Sequence, residues 1–322
     1  GGSADDDFIL QGGNITGVID GSGGDDSLTG NADQVNAYVI TGINSGSASD
    51  TGGFTSIETL IGNNLADVFQ LADGSISGEI IGGLGSDRLI GDASTRTWNI
   101  TDVNEGDATS VAQFTSIENL EGNTESDSFI IDGGSLSGSI QGGANNNDVL
   151  TLEATIANSV DIDVNNGGTA TGIGARFDGI EDINGGDLND SFVISAGGID
   201  GFIDGGLGDD RLTGADVNNT FVVYTDSAGA ATGLGARSID ATDGFSNIEN
   251  LVGNSQSDTF QLAGGTLAGS IDGGGAMDTF VADDVANIFE LTSDNSGTAT
   301  GLGAGFANVE HLVGNSEADT FT

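Results

Sequence analysis

Aspartates recur in pairs about twenty residues apart, each at the end of a glycine-rich loop: Asp6 and Asp26, Asp67 and Asp87, Asp127 and Asp148, Asp190 and Asp210, Asp258 and Asp278. Two of the loops, GGLGSDRLIG (82–91) and GGLGDDRLTG (205–214), are nearly the same phrase. Carboxylates beside turns of Gly and Asn, residues that tolerate positive φ and can aim carbonyls at one point, are the hard oxygen donors that calcium takes six to eight at a time. If the members of a pair lie on neighbouring coils, two bare carboxylates about 5 Å apart repel by about 3 kcal/mol at an effective dielectric of 20. A divalent cation removes that repulsion. Alternatively each Asp caps its own turn, accepting backbone N–H groups and facing water. The first reading makes Asp67, Asp87, Gly82, Gly85, Asp190, Asp210, Gly205 and Gly208 the leading candidate ligands, with Asp6, Asp26, Asp127, Asp148, Asp258 and Asp278 behind them. Both readings stay open at the level of sequence.

What positions these loops is a repeat. The segments FTSIETL (54–60), FTSIENL (114–120), FDGIEDI (177–183), FSNIENL (245–251) and FANVEHL (306–312) are one phrase, each followed by G-(N/G)-x-x-x-D-x-F. The spacing defines repeats of about 60 residues at 1–53, 54–113, 114–176, 177–244 and 245–305, with a sixth beginning at 306–322, in one continuous array. A finer step of about 20 separates Ile80 from Ile100 and Leu120, Ile140 from Val160, and Ile203 from Val223. A second apolar station lies about ten residues away, at Phe69 and Leu89 or Phe192 and Leu212. In every third coil it is occupied by small residues, as in SGSAS and GDATS.

Short β-rich runs such as FIL, YVI, WNI and FVV, bounded by Gly, Asn and Asp, read as strands joined by turns. No segment keeps a 3.6 spacing without a glycine, which excludes helices. The expected fold is all-β: a parallel β-solenoid of about 20-residue coils, three per repeat, roughly 75 Å long at strand spacing. The insertion RSIDATDG (237–244) is expected to bulge from a turn. Trp98 and Tyr38 occupy the slot of Phe221 and Phe289 and are expected in the core. The Glu that follows each Ile or Val of the phrase (Glu58, Glu118, Glu181, Glu249, Glu310) is expected to face outward, with a calcium ligand in every third coil as the alternative, and the lone His311 is expected to face outward.

Composition narrows the function. With Lys+Arg 5 against Asp+Glu 50 and a net charge of -45, the chain repels nucleic acid and anionic membranes, and no apolar run is long enough to insert into a bilayer. Gly 57 makes ordering costly, so a periodic core must compensate. With Pro 0 and Cys 0, there is no disulfide framework. One variable His and no Lys or Cys leave no catalytic constellation, so an enzyme is not expected.

The nonapeptide G-G-x-G-x-D-x-U-x, matched in full at 82–90 and 205–213, resembles that of the RTX-like, hemolysin-type calcium-binding repeat proteins. More loosely, the periodicity of the whole chain is similar to that of the large β-helical adhesins and surface fibres of Gram-negative bacteria. It departs from the RTX pattern in its 20-residue coil and in the Asp missing from every third coil. What the resemblance implies is secretion, an extracellular or cell-surface location, calcium as the bound ion, and a role as adhesin stalk or filament. Both ends of the chain stand at the same phase of the repeat, so the expected partners are further repeats of the same chain or head-to-tail copies of it. Glycans or surfaces are the expected targets of the runner-up, a carbohydrate-binding module, with a polysaccharide lyase or epimerase third.

Overall fold

The computed structural model describes residues 1–144, 147–234 and 244–322. It is all-β: 36 strands and no helix among the described residues, in two long, mostly parallel sheets, as a β-solenoid requires. Of the expected bulge, 237–243 lie outside the described residues, and Gly244 opens the strand Gly244–Ser246. The chain divides into two compact units, Gly1–Leu150 with Gly172–Ile180, and Thr151–Thr171 with Glu181–Thr322.

In unit 1 the chain passes back and forth between two sheets. Leu60 pairs with Ile80 in the first sheet and Phe69 with Leu89 in the second, each a parallel step of the expected 20 residues. The following step is longer. Leu28 pairs with Leu60, and Leu89 with Leu120, after 31 to 32 residues. Alternation of polar and apolar residues puts one side of each strand inside, so Tyr38, Phe69, Leu89, Trp98 and Phe129 are essentially unexposed. The core expectation for Tyr38 and Trp98 holds: Tyr38 stacks on Phe69 at 4.8 Å and Trp98 on Phe129 at 5.9 Å.

The expectation of three equal coils per repeat fails at the third, for a local reason. The strand Thr97–Asp102 turns back on itself at Val103 and Asn104, and Glu105–Ala108 runs antiparallel between it and Val111–Thr115. Asn104 takes φ 56°, a left-handed conformation that Asn tolerates better than most residues. The small residues of GDATS belong to this inserted strand: a Cβ on Gly106 would lie 1.9 Å from the carbonyl oxygen of Asn99 and 2.9 Å from the ring of Phe114. Ile80 therefore pairs with Phe114, whereas Ile100 faces Gly106 and Ile131, and the expected Ile80–Ile100 column does not form. The Ile203–Val223 column of unit 2 gives way in the same manner, to Ile203–Phe245 and Val223–Leu262.

Because the hairpin makes a repeat cross between the sheets an odd number of times, equivalent features change sheets from one repeat to the next. In unit 1 the hairpin Ala37–Gly42 with Ser45–Ala48 lies in the second sheet, and Thr97–Asp102 with Glu105–Ala108 in the first. In unit 2 the hairpin Ser159–Val164 with Gly167–Ala170 shares a sheet with Ile288–Ser293 and Ser296–Ala299, and Thr220–Thr225 with Ala228–Ala231 lies in the other.

Candidate functional site

The structure brings together all five aspartate pairs, and it shows what separates their charges. The backbone N–H of Asp67 donates to Oδ1 of Asp87 at 2.6 Å, and the same bond joins Asp6 to Asp26, Asp127 to Asp148, Asp190 to Asp210 and Asp258 to Asp278 at 2.6 to 2.7 Å. Each relay continues. Asn36 N–H donates to Asp67 Oδ1 at 2.5 Å, and Asp87 N–H donates to Glu118 Oε2 at 2.7 Å. In unit 2 Asn158 leads through Asp190 and Asp210 to Glu249, and Asn219 leads through Asp258 and Asp278 to Glu310. Charge-assisted bonds of this kind are among the stronger neutral-to-ion contacts, so a donor stands between the two carboxylates of each pair. The cap is thus made to the neighbouring coil rather than to the residue's own turn alone.

Own-turn capping is found as well, at the second oxygen of some members: Asn63 N–H donates to Asp67 Oδ2, and Gly186 N–H to Asp190 Oδ2, both at 2.6 Å. Asp26, Asp87, Asp127, Asp210, Asp258 and Asp278 instead bury Oδ2 without a hydrogen-bond partner. Burial pushes the carboxyl of Asp87 up from its ordinary value to about 6, with the charges of Glu118 and Asp67 adding to it against the bond from Asp67 N–H. Burial likewise raises Asp127 and Asp210 to about 7 and Asp278 to about 6.

The glycines of the loops have two separate causes. At Gly82 and Gly205 the cause is space: a Cβ on Gly82 would lie 1.9 Å from the Ser116 carbonyl oxygen and 2.7 Å from Asp87 Oδ2, and one on Gly205 2.0 Å from the Asn247 oxygen and 2.7 Å from Asp210 Oδ2. At Gly85 and Gly208 backbone conformation is added to space: φ is 137° and 134°, and a Cβ would lie 2.7 Å from the Leu65 carbonyl oxygen and 2.8 Å from the Leu188 carbonyl carbon.

As calcium ligands the same atoms are sparse. Oδ1 of each second Asp is already an acceptor, and at Gly82 and Gly205 one carboxylate oxygen and one carbonyl oxygen both approach the glycine. No group of three or more His, Cys, Asp or Glu is disposed to hold a metal among the described residues. Calcium bound here would draw most of its six to eight oxygens from water, beside aspartates that are 0% exposed.

Three participants were not anticipated. The recurring Glu does not simply face outward: Glu118 receives Asp87 N–H on Oε2 and Asn104 Nδ2 on Oε1 at 3.0 Å, and Glu58 joins Asp26 to Asn44 in the same way. The turn asparagines Asn44 and Asn104 therefore tie the hairpin to the relay. The relay also starts from an Asn two residues before the first core residue of the hairpin strand (Tyr38, Val160, Phe221 or Phe289), namely Asn36, Asn158, Asn219 or Asn287, whose side-chain amide staples its own loop. That recurrence was visible in QVNAYVI and VNNTFVV. In one repeat Arg96 takes this place, with 3% exposure, paired to Asp92 at 2.6 Å and donating to the Thr109 carbonyl. His311 is exposed, as expected.

No protein-family model matches the chain, and no curated protein matches it.

Proposed function

We propose that this chain is a structural repeat segment of a secreted fibre or cell-surface adhesin, a stiff acidic β-solenoid whose part is to supply length. The observation that carries this reading is the relay, repeated with nearly the same residues in successive repeats, which suits a shared mechanical role rather than one reactive centre. Extension occurs by further repeats, either in the same polypeptide or through a second copy docked end to end by strand pairing. Small-angle scattering over a concentration series tests it. Particles that lengthen at constant cross-section are expected from end-to-end docking. A particle of unchanged size removes docking, and a tandem fusion of two copies then tests continuation: a melting temperature no higher than that of one copy contradicts the proposal.

Calcium at loops 82–87 and 205–210 is a second reading, favoured by the buried, unpartnered Oδ2 atoms of Asp87 and Asp210. Melting followed by circular dichroism with and without a chelator separates the two. If the relay alone rigidifies the solenoid, chelation leaves the transition in place. If calcium does, the transition falls on chelation and returns when calcium is restored.

A further inference from the structure

Unit 1 carries a polar groove that meets the relay only at Asp67, a residue 0% exposed. On the outer face of its second sheet, Val68, Arg88 and Asn119 stand in register on three neighbouring strands, and Ser139 follows just before the strand Ile140–Gly143. Ser86 in the adjoining turn and Gln141 complete a groove of about 300 Å³, at the lower end of small-ligand sites. Four strands at about 4.8 Å spacing give it a length of about 14 Å.

Its polar groups are held in place before any ligand arrives. Asn119 Nδ2 donates to Ser86 Oγ at 3.0 Å, and Asn119 Oδ1 accepts from the N–H and hydroxyl of Ser139 at 3.1 and 3.0 Å. Arg88 Nη1 pairs with Glu121 Oε2 at 3.0 Å, so the one cation of the groove already has its counter-charge, and its side chain stays 44% exposed. Gln141 is exposed. Fixed donors and acceptors flanking the apolar surface of Val68 suit a ligand rich in hydroxyls with apolar C–H faces between them. A net charge of -45 repels anions from the molecule as a whole, and the paired Arg88 offers them no compensating site.

We infer that this groove binds a neutral oligosaccharide. Unit 2 repeats the strand positions with Ser191, Arg211, Asn250 and Ser270 but sets carboxylates, Asp209 and Asp272, where Ser86 and Gln141 stand. Asn250 there donates to Asp209 at 2.5 Å, so that column is acidic and serves as an internal control. The groove does not depend on how the chain is extended, so loss of end-to-end growth leaves it untouched.

Isothermal titration of the full chain with neutral trisaccharides of glucose, galactose, mannose and N-acetylglucosamine, and with trigalacturonate as the acidic arm, tests the assignment. At least one neutral trisaccharide is expected to bind. Arg88→Ala combined with Gln141→Ala should weaken it by about tenfold or more with an unchanged melting curve, and Arg211→Ala should leave it unaltered. If the double variant melts early, Gln141→Ala alone, at an exposed side chain, carries the comparison. The inference is overturned if no neutral trisaccharide binds, if trigalacturonate binds more tightly, if the groove variants bind as the parent does, or if Arg211→Ala costs as much as they do.

Discussion

Gly82→Ala is expected to remove about 4 kcal/mol or more of stability, at the upper end of what single substitutions do. The new methyl would sit 1.9 Å from the Ser116 carbonyl oxygen and 2.7 Å from Asp87 Oδ2. One neighbour is backbone of the adjacent coil and the other is anchored by Asp67 N–H at 2.6 Å, so neither gives way cheaply. Gly13→Ala is the matched control, with nothing within 4 Å of its Cβ, and should be close to neutral. Urea titrations of the two variants make the comparison. A Gly82→Ala protein as stable as the Gly13→Ala protein would show that the loop glycine serves something other than this close approach.

Acidification from pH 8 to pH 5 is expected to raise the melting temperature by several degrees, the reverse of ordinary acid denaturation. The folded-state values of Asp87 and Asp278 are raised to about 6, and those of Asp127 and Asp210 to about 7. A carboxyl whose folded value lies above its unfolded one binds its proton more tightly when folded. Its stabilising contribution is complete below the unfolded value near 3.8 and is lost as pH rises through 6 to 7. Local chemistry agrees with this sign. Asp87 Oδ2 is buried without a hydrogen-bond partner, so protonation removes an unsatisfied buried charge. The shift of Asp92 is downward, because Arg96 bonds to it against the effect of burial, so its loss falls below this pH window. Melting curves followed at the single Trp98 and by circular dichroism across the range decide the matter, and a transition that falls steadily with pH would contradict it.

The repeat phrase and its 20-residue step fixed which strands pair in the first half of each repeat: Phe69 lies beside Leu89 and Leu60 beside Ile80. The hairpin was harder to read. Ile100 follows Ile80 at the same interval, yet it reaches its place by a turn at Asn104 rather than by another coil, and an interval alone does not distinguish these routes. The small residues of GDATS mark the difference, since a station that never carries a large side chain is one where another strand lies close. The aspartate pairs were legible as neighbours because like positions stack. Their partner was not, because the N–H of Asp67 is a backbone group that every residue except proline has, and only its orientation makes it the donor to Asp87. Asn104 and Glu118 were likewise written in the sequence as recurring letters, but their connection spans a hairpin that the spacing did not reveal.

The relay of backbone N–H groups into carboxylates of the next coil can be observed directly. In a uniformly labelled, deuterated sample, through-hydrogen-bond scalar couplings should link the Asp67 amide nitrogen to the carboxyl carbon of Asp87, and the Asp87 amide nitrogen to that of Glu118. The same amides should exchange with solvent only in the global unfolding reaction. Absent couplings together with rapid exchange at Asp67 and Asp87 would mean that the carboxylates are not held by the coil beside them, and the account of what binds this solenoid together would be wrong.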